Sequence, residues 1–320
     1  MGLRLPDRWI WDSWYVWDGD TCHAFYLCAS RGLIDPERRH RNTNIGHAIS
    51  KDLTNWEVLP DAISPSDSPA FDSWTTWTGS TVKGPDGKWW MFYTGTSRED
   101  GGDIQSIGAA VSTDLISWEK LGGAPLVEAN PEWYETLDKK VWHDQAWRDP
   151  WVQRKSDGTW QMLITARANV GDPKTRGAMG QAVSDDLLNW TVLEPLAVSS
   201  ADFGQLEVFQ YEVVDNVPIV LFCCGYRELS EQRRQEFGER DATYSLVSEP
   251  ELTNIDFSKA RAFEHSLLYA ARLVQDRLGD WFLLGFIGYK DGVFVGEISD
   301  PIPVTADPEL GLILRAAKDK

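Results

Sequence analysis

The chain has 320 residues, 17 of them Trp, and its 31 Lys+Arg against 49 Asp+Glu leave a net charge of −18. So acidic a chain lacks the basic footprint that nucleic acid or an anionic membrane surface demands, and neither is expected as a partner. An apolar fraction of 42% and a charged fraction of 25% belong to a globular protein rather than a disordered one. So many Trp suit either an aromatic β core or a surface that stacks on flat ligands such as sugar rings.

From the N-terminus, Met1–Trp14 contains no apolar stretch long enough for a secretory signal. No window approaches the ~20 apolar residues of a membrane-spanning helix, so a cytoplasmic protein is expected. Cys22, Cys28, Cys223 and Cys224 form no CxxC pair, and no His stands at metal-finger spacing. Buried free thiols are expected in place of a disulfide framework.

The chain repeats itself. Gly46–Leu59 (GHAISKDLTNWEVL), Gly108–Leu121 (GAAVSTDLISWEKL) and Gly180–Leu193 (GQAVSDDLLNWTVL) share the form G-x-A-[IV]-S-x-D-L-x-x-W. Such a segment reads as a strand, a tight Ser-x-Asp turn, and a Trp that packs back over the strand. Trp56, Trp118 and Trp190 are thus expected to pack the units. An aromatic strand precedes each copy: Thr21–Ser30, Lys88–Thr96 and Thr159–Arg167. Two weaker units follow, Val217–Gly225 with Ala242–Val247, and Trp281–Ile287 with Gly292–Ile298. Ser230–Arg240 reads as a short helix. Glu264–Arg277 suits a helix or a strand, and is read as the strand that opens the fifth unit. Five units in steps of roughly 60 to 70 residues predict an all-β, five-bladed β-propeller, one domain over residues 1–320. The long amphipathic helices of a TIM barrel are missing.

In a propeller the innermost strand of each blade lines the channel, so a polar residue at its start faces a shared funnel. One candidate falls in each unit: Asp12, Asp72, Asp149, Glu207 and His265. Asp12 lies among Trp9, Trp11 and Trp14, Asp149 lies between Arg148 and Pro150, and Glu207 is a lone acid in an otherwise apolar strand. Carboxylates converging from separate blades can divide into acid, nucleophile and stabiliser, which is the equipment of a glycoside hydrolase. Trp11 and Trp77 are the candidates for stacking on sugar.

These residues carry a resemblance. Gly46–Val82, with Trp77-Thr78-Gly79-Ser80 at its end, resembles glycoside hydrolase family 32, the invertase, inulinase and levanase group. Arg148-Asp149-Pro150 matches that family's Arg-Asp-Pro motif. Trp9-Ile10-Trp11-Asp12 matches its nucleophile motif at the Trp and the Asp, and Glu207-Val208 matches its Glu-Cys motif at the Glu. The resemblance implies a retaining, exo-acting furanosidase of the β-fructofuranosidase kind. Asp12 takes the nucleophile's place, Asp149 the transition-state stabiliser's and Glu207 the acid/base's. Trp11, Trp77, Thr78, Arg148, Asp72 and His265 would bind the substrate, an oligosaccharide or small glycoside. No cofactor and no metal is demanded. Three positions of the family's sugar-recognition set differ: Trp11 stands for Asn, Leu27 for Gln and Ile45 for Trp. The chain is also expected to lack the family's C-terminal β-sandwich. Families 43 and 68 share the propeller, so an inverting arabinofuranosidase or xylosidase of the family 43 kind is the alternative, and a non-catalytic glycan-binding propeller the third reading.

Overall fold

In each copy of the repeat, the Ser and Asp close the turn with their own side chains. Asp114 Oδ1 accepts the backbone N–H groups of Ile116 and Ser117 at 2.9 and 2.8 Å, while Ser112 Oγ accepts that of Leu115 at 2.8 Å. Asp52 and Asp186 repeat the arrangement with Asn55 and Asn189, each at 2.7 Å. The turn forces the Leu after each Asp into the left-handed region, with φ of 61° at Leu53, 63° at Leu115 and 69° at Leu187. Their burial, at 1%, 0% and 0% exposure, offsets that strain. The glycine that opens each copy makes room for a ring: a Cβ on Gly108 would lie 2.1 Å from Phe71.

The computed structural model describes residues 2–199, 202–263 and 268–315. All strand pairing within the blades is antiparallel. Blade 1 comprises Arg8–Asp18, Thr21–Ser30, Asn44–Ser50 and Trp56–Ile63. Blade 2 comprises Thr75–Lys83, Trp89–Thr96, Gln105–Ser112 and Glu119–Lys120. Blade 3 comprises Trp147–Arg154, Trp160–Arg167, Gly177–Ser184 and Thr191–Val198. Blade 4 comprises Glu207–Val214, Val217–Cys224, Ala242–Val247 and Arg261–Ala262. Blade 5 comprises Tyr269–Gln275 and Trp281–Lys290, and the latter pairs with both Val293–Ile298 and Ile302–Asp307. The architecture is the expected five-bladed β-propeller. The opening strand of the fifth unit is Tyr269–Gln275, and the helix is Glu231–Phe237, capped by Ser230 Oγ.

The core lies between blades rather than within them. Trp118 of blade 2 meets Phe25 of blade 1 edge-on at 5.7 Å, and Trp190 of blade 3 meets Phe92 of blade 2 at 5.4 Å. Trp56 packs on Tyr15 of its own blade at 6.1 Å. The repeat Trp residues therefore do pack the blades. Ring closure brings blade 5 against blade 1, where Trp17 Nε1 donates to Gln275 O at 3.0 Å, and the segment ahead of blade 1 joins blade 5 through Ile298 N, which donates to Leu3 O at 3.0 Å. All four cysteines are buried and free, and no described helix is long and apolar enough to cross a membrane.

Candidate active site

Each innermost strand carries one extra residue at the same level. Just before that bulge stand Trp11, Trp77, Arg148, Glu207 and Tyr269, paired across to Leu27, Thr94, Thr165, Cys223 and Phe286. The residue after each of these is Asp12, Thr78, Asp149, Val208 or Ala270. Four of the five take positive φ, at 36° for Asp12, 56° for Asp149, 58° for Val208 and 45° for Ala270. A bulge re-aims side chains, and five in register turn a ring of residues toward the axis. The pocket there has a volume of about 200 Å³, and every pre-bulge residue lines it, with Asp12, Thr78 and Asp149.

A second ring of hydrogen bonds fixes the first. Thr94 Oγ1 donates to Thr78 O at 3.1 Å and accepts Asp149 N–H at 2.9 Å, reaching from blade 2 to blade 3. Thr165 takes the same place between blades 3 and 4, donating to Asp149 Oδ2 at 2.9 Å and accepting Val208 N–H at 3.1 Å. Cys223 follows in blade 4, its thiol 3.5 Å from Glu207 O.

Charge in the pocket is divided unevenly. Thr78 donates its hydroxyl to Asp12 Oδ2 at 2.7 Å. Arg148 sits among three carboxylates, pairing with Glu207, lying 3.4 Å from Asp149 and 3.8 Å from Asp144. Against the cost of its burial, the carboxylates of Glu207, Asp144 and Asp149 hold Arg148 firmly protonated. Tyr269 donates to the other oxygen of Glu207. Burial pushes the Asp12 carboxyl up to about 6, with Glu207 adding to the rise and the Thr78 hydrogen bond and Arg272 opposing it. Burial likewise pushes Asp149 up to about 7, with Arg148 opposing and the charges of Glu207 and Asp12 adding. Carboxyl groups so separated by their surroundings can take different roles in one reaction.

Of the residues expected from sequence, Asp12, Asp149, Glu207, Trp11, Trp77, Thr78 and Arg148 meet in this pocket. Trp11 is only 3% exposed, with the Arg39 guanidinium over its ring at 5.4 Å, whereas Trp77 is less buried. Asp72 is a correction. It is fully buried ahead of the bulge and away from the pocket, accepting from Lys120 Nζ at 2.5 Å and Tyr93 at 3.0 Å. Blade 2 presents Thr78 at the level where Asp72 was expected, because the bulge sets that level. His265 lies outside the described residues, and blade 5 presents Tyr269. The pocket also holds Arg39, His40, Gln105 and Asp144, which stand on connections and outer strands where no inner-strand pattern marks them.

Fold and pocket together define a five-bladed β-propeller with a carboxylate-lined axial site, the layout of the propeller glycoside hydrolases. Residues 14–294 match the N-terminal domain of glycosyl hydrolases family 32. The chain belongs to that family. Asp149 and Glu207 lie within the matched segment, and Asp12 stands just ahead of it. A sucrose-6-phosphate hydrolase of Bacillus subtilis is 34% identical over 172 residues, which is 52% of this chain and 30% of that protein. A plant relative, the β-fructofuranosidase insoluble isoenzyme CWINV2 of Arabidopsis thaliana, is 32% identical over 59% of this chain and 29% of its own length. The chain thus matches less than a third of the length of these relatives. Among solved structures, a β-fructofuranosidase of Bombyx mori superimposes with a TM-score of 0.76 at 19% identity, over 98% of this chain and 64% of that one. That likeness carries the fold.

Proposed function

We propose that the chain is a retaining, exo-acting furanosidase that cleaves a terminal β-fructofuranosyl unit from an oligosaccharide or small glycoside. The observation that carries this reading is the gathering of Asp12, Asp149 and Glu207 from three blades into one pocket of about 200 Å³. Membership of family 32 supports it. A carboxylate oxygen of Asp12 attacks the anomeric carbon as Glu207 gives a proton to the leaving oxygen, and the glycosidic bond breaks. Glu207, now a carboxylate, takes a proton from water, whose oxygen attacks the same carbon and releases Asp12. Asp149 accepts from ring hydroxyls and offsets the positive charge that builds on the sugar. Arg148 and Tyr269 hold Glu207 between them, and Trp77 offers the stacking face. The chemistry uses no cofactor. The four buried free thiols favour a reducing compartment, so the cytoplasm is the proposed location.

A second reading, an inverting arabinofuranosidase or xylosidase of the family 43 kind, draws support from the pocket wall. Trp11 and Leu27 line it where the family 32 pattern places amide side chains that meet sugar hydroxyls.

An activity panel of nitrophenyl furanosides and pyranosides with sucrose, inulin and levan separates these readings, together with NMR of the anomer formed first. Release of a β-fructofuranose product with retention is expected, and Glu207→Gln abolishes turnover in a folded protein. Inversion would remove the nucleophile role from Asp12, and wild-type rates in Glu207→Gln would remove the acid/base role from Glu207.

A further inference from the structure

Of the five second strands, that of blade 5 runs furthest past pocket level, one residue further than that of blade 1, which continues from Leu27 to Ser30. At pocket level its second strand holds Phe286, and the strand continues four residues further to Lys290. The second strands of blades 2, 3 and 4 end at Thr96, Arg167 and Cys224, within two residues of their own pocket-level positions. The extension folds back as a hairpin in which Tyr289 pairs with Phe294 and Lys290 with Val293.

The hairpin is fixed at the mouth of the pocket. Phe294 lies against Trp9 at 5.8 Å, Phe286 at 6.1 Å and the Arg39 guanidinium at 4.7 Å, and both Phe286 and Arg39 line the pocket. Gly296 allows this approach, since its φ is +57° and a Cβ there would meet Trp9 at 2.8 Å. Cross-strand partners share a sheet face, so Tyr289 lies on the face of Phe294, its ring edge-on at 5.2 Å. Phe294 is largely covered, whereas Tyr289 remains 55% exposed. An aromatic strip thus runs from the pocket wall at Phe286 through Phe294 to an open ring at Tyr289.

We propose that Tyr289 is an accessory sugar-binding residue, which stacks on a second ring of an oligosaccharide whose terminal unit occupies the axial pocket. This rests on the proposed glycosidase reading. A fixed, half-exposed ring costs little entropy to engage, and its flat face suits the apolar face of a sugar. The strip leads outward from the pocket, so the added contact falls on units beyond the one cleaved.

The test compares KM for methyl β-D-fructofuranoside, which carries one sugar ring, with KM for 1-kestose and inulin, in wild type and Tyr289→Ala. The ratio of inulin to methyl glycoside KM rises roughly 3- to 10-fold in Tyr289→Ala, with kcat for inulin little changed. Tyr289→Trp restores the wild-type ratio, which a loss of fold would not allow. An unchanged ratio overturns the subsite while leaving the glycosidase reading in place, as does an equal rise for all three substrates. A wild type that cleaves none of them overturns both.

Discussion

Thr165 hydrogen-bonds the Asp149 carboxylate at 2.9 Å while its oxygen accepts the N–H of Val208, the residue after Glu207, at 3.1 Å. One hydroxyl therefore sets the position of two carboxylates from different blades. Thr165→Val keeps the shape and removes both bonds. The lost alignment is expected to lower kcat roughly 10-fold or more, with a smaller change in KM. Thr165→Ser retains most of the rate. Steady-state kinetics of the two variants decide it, and a Val variant with wild-type kcat would show that packing alone holds the strands.

Thr78 donates its hydroxyl to the Asp12 carboxylate at 2.7 Å. In the proposed role of nucleophile Asp12 must be ionised, and burial, outweighing that hydrogen bond, pushes its carboxyl up to about 6. Activity should fall as pH drops through this value. Thr78→Val removes a bond to the charged form, so the acid limb of the kcat/KM profile moves to higher pH. A limb that stayed in place, or moved down, would detach it from Asp12.

The propeller was legible because its turns are written in local chemistry. The Ser and Asp of each repeat bond backbone groups within three residues, and a local pattern survives in the sequence. Asp149 and Glu207 were legible for a similar reason, since each is an acid in an apolar or aromatic strand. Asp72 misled because a polar residue near a strand start resembles Asp12 in sequence. Only the register of the bulge, a property of the paired strand, separates the fully buried Asp72 from Thr78. Gln105 and Asp144 could not be read at all. Gln105 sits in the third strand of blade 2 and joins Arg148 at 2.9 Å and Asp144 at 2.7 Å, contacts made only when blade 3 packs against blade 2.

The pocket should weaken the fold at high pH. The carboxyl of Asp149 is raised from 3.8 to about 7 by burial, so between these values the folded protein binds a proton that the unfolded chain does not. Stability therefore falls as pH rises through that window and stays low above it. Asp149→Asn keeps the acceptor for Thr165 and never ionises. It is expected to be more stable than wild type at pH 8 by roughly 1–3 kcal/mol, an advantage that fades towards pH 4. Urea unfolding at several pH values measures this, and a difference independent of pH would contradict it.

Blades 1 and 2 meet along an aromatic seam. Trp118 spans it, its ring edge-on to Phe25 of blade 1 at 5.7 Å and its Nε1 donating to Leu115 O at 3.1 Å. Leu115 holds a φ of 63°, a strained turn that the Trp braces from outside. Trp118→Ala removes the ring contact, the hydrogen bond and the brace together. Truncations of this size cost about 3 kcal/mol when the site cannot collapse, and a seam between two rigid sheets collapses little. Trp118→Phe keeps the ring but not the donor and should recover more than half of the loss. Because the damaged seam joins blades 1 and 2, whose inner strands carry Asp12 and Thr78, Trp118→Ala should also open the bond between them. Its acid limb would then shift in the same direction as that of Thr78→Val. A destabilised variant with an unshifted limb would mean that the two inner strands stay joined while the outer strands part.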